Sequence, residues 1–375
     1  MRKLNRRAYL ATAGAAIVAG CVGESDDEAR SGSDETRARA DGDSDSGSNG
    51  VSSDSDEELP TVSRELPLPA DTKTIADAMQ RGARKDAIPS IGNPKFISAA
   101  AADGWLTPGH PVFGVVRNGD AKAYPQRILV WHEIVNDRIG GDSVAVTYCP
   151  LTGTAQGFER GDATFGVSGQ LVNSNLVMYD RQTDTYWPQM LAVGITGPHE
   201  GDQLVEFNVT WTSWERWRDA YPETEVLSDD TGWGRDYGRD PYGSYDPPSG
   251  HYENRNLLFP QFGSGSGREF HPKRVVIGSR SADGALAVFK ETLADAGLVE
   301  LNVGGVPYVV VYDPKLHTGW VYRNPDSVRV EHDGTNVLVD GVEHPSDDLP
   351  LGSVVRYDAM WYAWEGYYPD TEVVA

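Results

Sequence analysis

The signature Trp214-x-x-Trp217-x-x-x-Tyr221-Pro222-x-Thr224-Glu225-Val226 returns near the end of the chain as Trp361-x-x-Trp364-x-x-x-Tyr368-Pro369-x-Thr371-Glu372-Val373. The spacing puts both tryptophans on one side of a short helix, Thr212 to Ala220 in the first case, with Tyr-Pro just beyond its end. Two copies of one helix signature in a chain of 375 residues imply two copies of one folded unit.

Upstream of each signature a second stretch agrees without gaps. Ala121-Lys-Ala-Tyr-Pro125, through Gly140-Gly141 to Tyr148-Cys149-Pro150, aligns with Ala285-Leu-Ala-Val-Phe289, through Gly304-Gly305 to Tyr312-Asp313-Pro314. Ala123/Ala287, Leu129/Leu293, Val135/Val299, Val146/Val310 and Thr154/Thr318 match within and just beyond it. The second copy is shorter between the two stretches, with the missing residues expected around Ser168 to Asp184.

One copy reads as follows. Pro111 to Arg117 alternates as a strand, Asn118-Gly119 is a tight-turn pair, and Ala121 to Tyr124 returns. Gln126 to Asn136 places Ile128, Trp131, His132 and Val135 at helical spacing, with Gly140-Gly141 as the stop. Ser143 to Tyr148 is a β-branched strand, and Thr154 to Arg160, Thr164 to Val167 and Leu176 to Tyr179 read as short strands. The expected fold is therefore α+β and β-rich, built from two related copies of a strand-helix-strand unit in a pseudo-twofold arrangement. The copies occupy residues 111–228 and 273–375, the second degenerate, joined by a Gly/Pro/Tyr-rich connector over 229–272. Residues 59–110 form a helical preface, with helices expected between Thr72 and Trp105 and Asn93-Pro94 capping the second of them.

The start of the chain is of another kind. Arg6-Arg7 in a basic head precedes an apolar, small-residue run from Ala8 to Gly20, the build of a twin-arginine export signal, and that run is too short to span a bilayer. It ends in Val18-Ala19-Gly20-Cys21, which resembles the lipobox of secreted lipoproteins, so residues 1–21 read as a signal with Cys21 as the lipidation site. From 22 to 58 the chain is Glu, Asp, Ser and Gly with almost nothing apolar, a composition that cannot bury enough surface to offset the entropy of ordering. This disordered acidic linker would reach about 35 Å as a Gly/Ser-type coil. The expectation is a protein held on the extracytoplasmic face of the cell membrane through lipid on Cys21.

The formal net charge is −23, and of 33 basic residues only eight are lysine, at positions 3, 73, 85, 95, 122, 273, 290 and 315. A lysine-poor, carboxylate-rich surface stays hydrated when salt screens ordinary repulsion, so the composition reads as halophilic. Nucleic acid is excluded as a partner, because no basic surface is present to neutralise phosphates. With two cysteines in all, one of them assigned to lipid, Cys149 has no intrachain disulfide partner.

Comparing the copies separates scaffold from chemistry. Glycines, strand valines and the Trp signature recur, whereas His132 faces Ala296, Glu133 faces Gly297, Asn136 faces Glu300, Asp137 faces Leu301 and Cys149 faces Asp313. A single site therefore belongs to the first copy. Cys149 ends a strand and opens the turn Pro150-Leu-Thr-Gly-Thr154, with His132 on the preceding helix. A thiol beside an imidazole supports two chemistries: a nucleophile whose proton the histidine removes, with Asp137 or Glu133 orienting the ring, or a soft transition metal such as copper held by Cys149 and His132. The plainer alternative is a buried cysteine and a hydrogen-bonded core histidine.

Five ordered motifs in this region carry a resemblance: Ala121 to Pro125, Ile128 to Asp137, Tyr148 to Ala155, Phe165 to Gly169 and Asn175 to Thr183. Together they resemble the exported family known as domain of unknown function 3179, over about Asp86 to Ala375. The resemblance implies export and a shared fold, and no activity. Members of that family commonly carry Cys-Pro-Leu-Cys where this chain has Thr152, so neither a paired-thiol redox centre nor a two-sulfur metal clamp is available here.

Other candidates are weaker. His110, His199, His251 and His271 lack metal-ligand spacing, and Ser168 lacks the full Gly-x-Ser-x-Gly elbow. Tyr237, Tyr242, Tyr245 and Tyr252 could line a groove for a saccharide, small molecule or protein partner, which is the non-catalytic alternative, a binding module. No phosphate loop, dinucleotide fingerprint or EF-hand loop is present.

Overall fold

The Trp signature folds as expected, and its contacts explain why it is spelled as it is. In the computed structural model, helix Trp214–Ala220 is capped by Ser213, whose side chain accepts from Arg216 N. It lays Trp217 flat over Gly114, where a Cβ would come within 2.1 Å of the indole. Helix Trp361–Tyr367 lays Trp364 over Gly278 in the same way, with 2.2 Å left for a Cβ. The indole N–H of Trp217 donates to Thr224 Oγ1 at 3.0 Å and that of Trp364 to Thr371 Oγ1, also at 3.0 Å. The threonine seven residues on is thus the polar partner each buried indole requires.

The structure describes residues 58–63, 66–245, 247–259, 270–334 and 336–375. The expected signal, lipobox and Cys21, and nearly all of the acidic linker, lie outside them. Among the described residues no helix is long and apolar enough to cross a membrane.

The fold is β-rich with few helices and several sheets. In the first half, Thr210–Ser213, Pro111–Arg117, Asp120–Pro125 and Glu225–Leu227 lie side by side, with Phe96–Ser98 added at the edge. In the second half, Arg356–Met360, Val275–Ser281, Gly284–Phe289 and Glu372–Val374 lie in the corresponding order. Register agrees too: Gly114 pairs with Ala123 and Gly278 with Ala287, and in each half the last strand joins in parallel. A second sheet follows in each half. Glu206–Phe207, Thr154–Glu159, Asp142–Cys149 and Ile134–Ile139 correspond to Gly352–Val354, Thr318–Arg323, Val306–Asp313 and Leu298–Val303. Between second sheet and signature the first half inserts Phe165–Val172, Asn175–Asp180 and Tyr186–Pro188, where the second has the smaller sheet Val330–His332, Val337–Val339 and Val342–His344.

The halves share a core. Tyr357, Trp361, Tyr362, Trp364, Tyr367 and Tyr368 pack with Val172, Val177, Met190 and Leu191 of the first half. Arg280 and Glu206 form an ion pair across the seam at 3.1 Å with side chains 1% and 2% exposed, so removing either partner would leave an uncompensated buried charge.

Two local expectations change. The helix expected over Gln126 to Asn136 stops at His132, because Glu133 turns the chain left-handed and Ile134–Ile139 becomes a strand. Val135 is therefore a strand residue, and Gly140-Gly141 is the hairpin turn and not the helix stop. Among its described residues the preface holds only Thr72–Asp77 and Ala99–Ala102 as helices, with short strands among them. The second of these is capped by Ser98, which accepts from Ala101 N, and not by Asn93-Pro94.

Candidate functional site

Strand Asp142–Cys149 is buried along nearly its whole length and ends at the sulfur. The turn that follows is held from outside its own half. Leu151 O accepts from Tyr362 OH at 2.6 Å and from His251 Nε2 at 2.7 Å, and Thr152 O accepts from Met360 N at 2.8 Å. Gly153 takes φ 55°, and a Cβ there would meet Met360 and the Tyr245 hydroxyl at 3.3 Å. The connector and the second half therefore clamp the turn beneath Cys149.

Cys149 is 1% exposed. Burial pushes its thiol up to about 11, and the Glu133 charge adds to the rise. Opposing both, the polar groups of Thr152 and the Leu176 N–H bring it down in part, and the thiol's own S–H points to Ser174 O at 3.7 Å. The Thr152 hydroxyl is itself fixed, because it accepts from Asn175 Nδ2 at 3.0 Å and Asn175 in turn donates to Gln189 Oε1 at 2.8 Å. These neighbours offset only part of the burial, so the thiol remains the resting form.

The expected Cys149–His132 pair is not formed. His132 is fully buried, with Nδ1 2.7 Å from Pro89 O and Nε2 2.6 Å from Tyr237 OH. The carbonyl fixes Nδ1 as the N–H, so Nε2 accepts from the tyrosine and neither nitrogen keeps a lone pair for a thiol or a metal. Burial lowers the ring's pKa and keeps it neutral. Asp137 does not orient that ring either; it pairs with Lys122 Nζ at 3.0 Å and accepts from Tyr124 OH at 2.6 Å. Asn136 closes a backbone contact with Phe165.

Glu133 is the acid whose charge reaches the sulfur. Its charge bears on Cys149 and on Tyr242, whose hydroxyl also feels the thiol. The side chain is 7% exposed, and its carboxyl has no hydrogen-bond partner among the described residues. Burial alone pushes its pKa up to about 8. The backbone is constrained as well, at φ 58° and ψ −30°, a conformation that L side chains seldom adopt. The equivalent residue of the second half is Gly297, at φ 74° and ψ −34°.

The other candidates resolve as structure. Tyr237 and Tyr252 are buried, Tyr245 stacks on Tyr252 with centroids 3.8 Å apart, and Tyr148 and Tyr245 share a hydrogen bond of 2.8 Å, so these rings pack inward and do not line an open groove. Ser168 donates to Val177 O. His110 accepts from Thr107 N, and His199 faces Asp202. No group of three or more His, Cys, Asp or Glu side chains that could hold a metal occurs among the described residues.

Sequence reasoning missed two features. Thr152, read only as a lost cysteine, is a polar neighbour that lowers the thiol's pKa in part. His251 and Lys273 form a buried pair behind Leu151, with Nζ 2.8 Å from Nε2. Their signal in the sequence was faint: a lysine immediately before an apolar strand in a chain that uses few lysines.

A family model described as "Protein of unknown function (DUF3179)" matches residues 85–371. No curated protein and no solved structure matches the chain.

Proposed function

The chain belongs to this DUF3179 family of proteins of unknown function, and from that premise we propose that it is an exported lipoprotein with a single-thiol active site in its first half. In this reading Cys149 is the nucleophile and Glu133, in place of His132, is its proton acceptor. The observation that carries the reading is the Glu133 carboxyl itself, largely buried, close enough for its charge to act on the thiol, without a hydrogen-bond partner among the described residues, and on a backbone that suits glycine. A cysteine that only filled space would not need a largely buried acid whose charge acts on it.

The energetics are within reach of catalysis. Moving the proton from a thiol near 11 to a carboxylate near 8 is uphill by three pKa units, about 4 kcal/mol. That is a modest part of an enzymatic barrier, and it already contains the help that Thr152 and Leu176 give the thiolate. At neutral pH the resting pair is thiol and carboxylic acid, so the site is quiet until one proton leaves. Two further observations weigh against the alternatives: both nitrogens of His132 are in use, which argues against a Cys149/His132 copper site, and the inward-packed tyrosines give a binding module little open aromatic surface.

The same proposal takes the two halves as duplicated copies in a pseudo-twofold arrangement, supported by their equal strand orders and by the paired Trp217/Gly114 and Trp364/Gly278 contacts. Export through the twin-arginine signal, anchoring at Cys21 and life in concentrated salt rest on the sequence features of residues 1–58 and on the acidic composition.

The test is the pH profile of Cys149 modification by a small thiol reagent, methyl methanethiosulfonate, read by peptide mass spectrometry. The rate should rise through about pH 8, where the pair loses its first proton, and that step should vanish in Glu133→Gln. A single rise near pH 11 in both proteins would refute the proposal.

A further inference from the structure

Behind the turn that carries Cys149 lies a second buried group that the thiol reading does not use. Lys273 is 6% exposed and His251 is 7% exposed. The lysine nitrogen is 2.8 Å from Nε2 and 3.3 Å from Nδ1 of His251, and it lies 4.7 Å from the centroid of the Tyr362 ring. His251 Nε2 also meets Leu151 O at 2.7 Å, which leaves Nδ1 as the acceptor that faces the amine. No carboxylate pairs with Lys273 among the described residues, in a chain whose acids number 56. Buried lysines are normally matched by an acid. Here the neighbours are an imidazole and a phenol ring.

We propose that Lys273, positioned by His251, is a nucleophilic amine that captures a small aldehyde as a Schiff base. The inference goes beyond the thiol proposal and does not depend on it. In the reaction the nitrogen lone pair attacks the carbonyl carbon, a C–N bond forms as the C=O π bond opens, and a proton passes from nitrogen to oxygen. Loss of water then leaves the C=N bond, so an amine and an aldehyde give an imine and one water. Burial holds the ammonium down to about 7, which leaves roughly half of the nitrogen as free base at neutral pH, against about one part in three thousand for an ordinary lysine. An unpaired amine in a dry site is the arrangement that favours this chemistry.

The experiment uses the full chain in concentrated salt at pH 7, with acetaldehyde and sodium cyanoborohydride, and maps alkylated lysines by peptide mass spectrometry. Lys273 should be alkylated at least about ten-fold faster than Lys73, whose side chain is 78% exposed. The preference should disappear when the same protein is unfolded, and it should persist in Cys149→Ser, which separates this outcome from that of the thiol site. Lys273 left unmodified while Lys73 reacts, or equal rates at both in the folded protein, would overturn the inference.

Discussion

At the end of the helix that leads into the second sheet, the two halves take one backbone turn with opposite side chains. Glu133 N donates to Leu129 O at 2.7 Å and its carbonyl accepts from Tyr148 N at 2.7 Å; Gly297 N donates to Leu293 O at 2.8 Å and its carbonyl accepts from Tyr312 N at 2.8 Å. The turn is left-handed in both, so glycine is the residue that the geometry prefers, and a side chain there costs about 1–2 kcal/mol. At the strand end the contrast repeats. Asp313 is an ordinary turn cap, accepting from Lys315 N at 2.9 Å and Leu316 N at 3.1 Å, while the Cys149 thiol points to Ser174 O at 3.7 Å. On the proposal that the halves are copies of one unit, the second shows what the unit needs in order to fold, and the first what was added to it.

The shared part should respond alike in both halves. Trp217→Ala and Trp364→Ala each remove a fully buried indole from a sheet glycine and strand a threonine hydroxyl, at a cost of about 3–5 kcal/mol in urea unfolding. A loss below about 1 kcal/mol in either protein would break the equivalence.

The added part should respond in the first half alone, and through pH. The Glu133 carboxyl has its pKa raised from 4.5 to about 8, so the native state holds a proton that the unfolded state has released across that window. Its contribution to stability is whole below pH 4.5 and is lost as pH rises to about 8, by up to a few kcal/mol. His251, held down to about 4, and Lys273, held down to about 7, act with the opposite sign, raising stability as pH climbs through their own windows. The difference between wild type and Glu133→Gln isolates the carboxyl. Wild type should lose stability relative to the variant between pH 5 and 8, and parallel curves would mean that Glu133 titrates normally.

These contrasts also show how far the residues spoke for themselves. Trp217 and Trp364 announced the repeated unit because each needs a glycine beneath it and a threonine for its indole, a set of local demands that spacing preserves. The end of the helix at His132 was hidden because Ile128, Trp131 and Val135 keep helical spacing across a break made by one left-handed residue, and glutamate gives no hint of that conformation. His132 looked like the sulfur's partner because it is near in sequence, but its nitrogens are committed to Pro89 O and Tyr237 OH, from segments that no local pattern could bring into view. Glu133 was read as orienting the imidazole, whereas its charge bears on Cys149. Lys273 and His251 meet only because the connector folds back over Leu151, a contact between distant segments.

The most direct test of the added-site account is the thermal unfolding midpoint of Glu133→Gly at pH 9, above the carboxyl's raised pKa. If the side chain is there for chemistry, the glycine relieves both the strained backbone and the unpaired buried charge, and the midpoint rises by several degrees. A midpoint equal to or below that of wild type would mean that Glu133 supports the fold, and the contrast between the halves would no longer point to an active site.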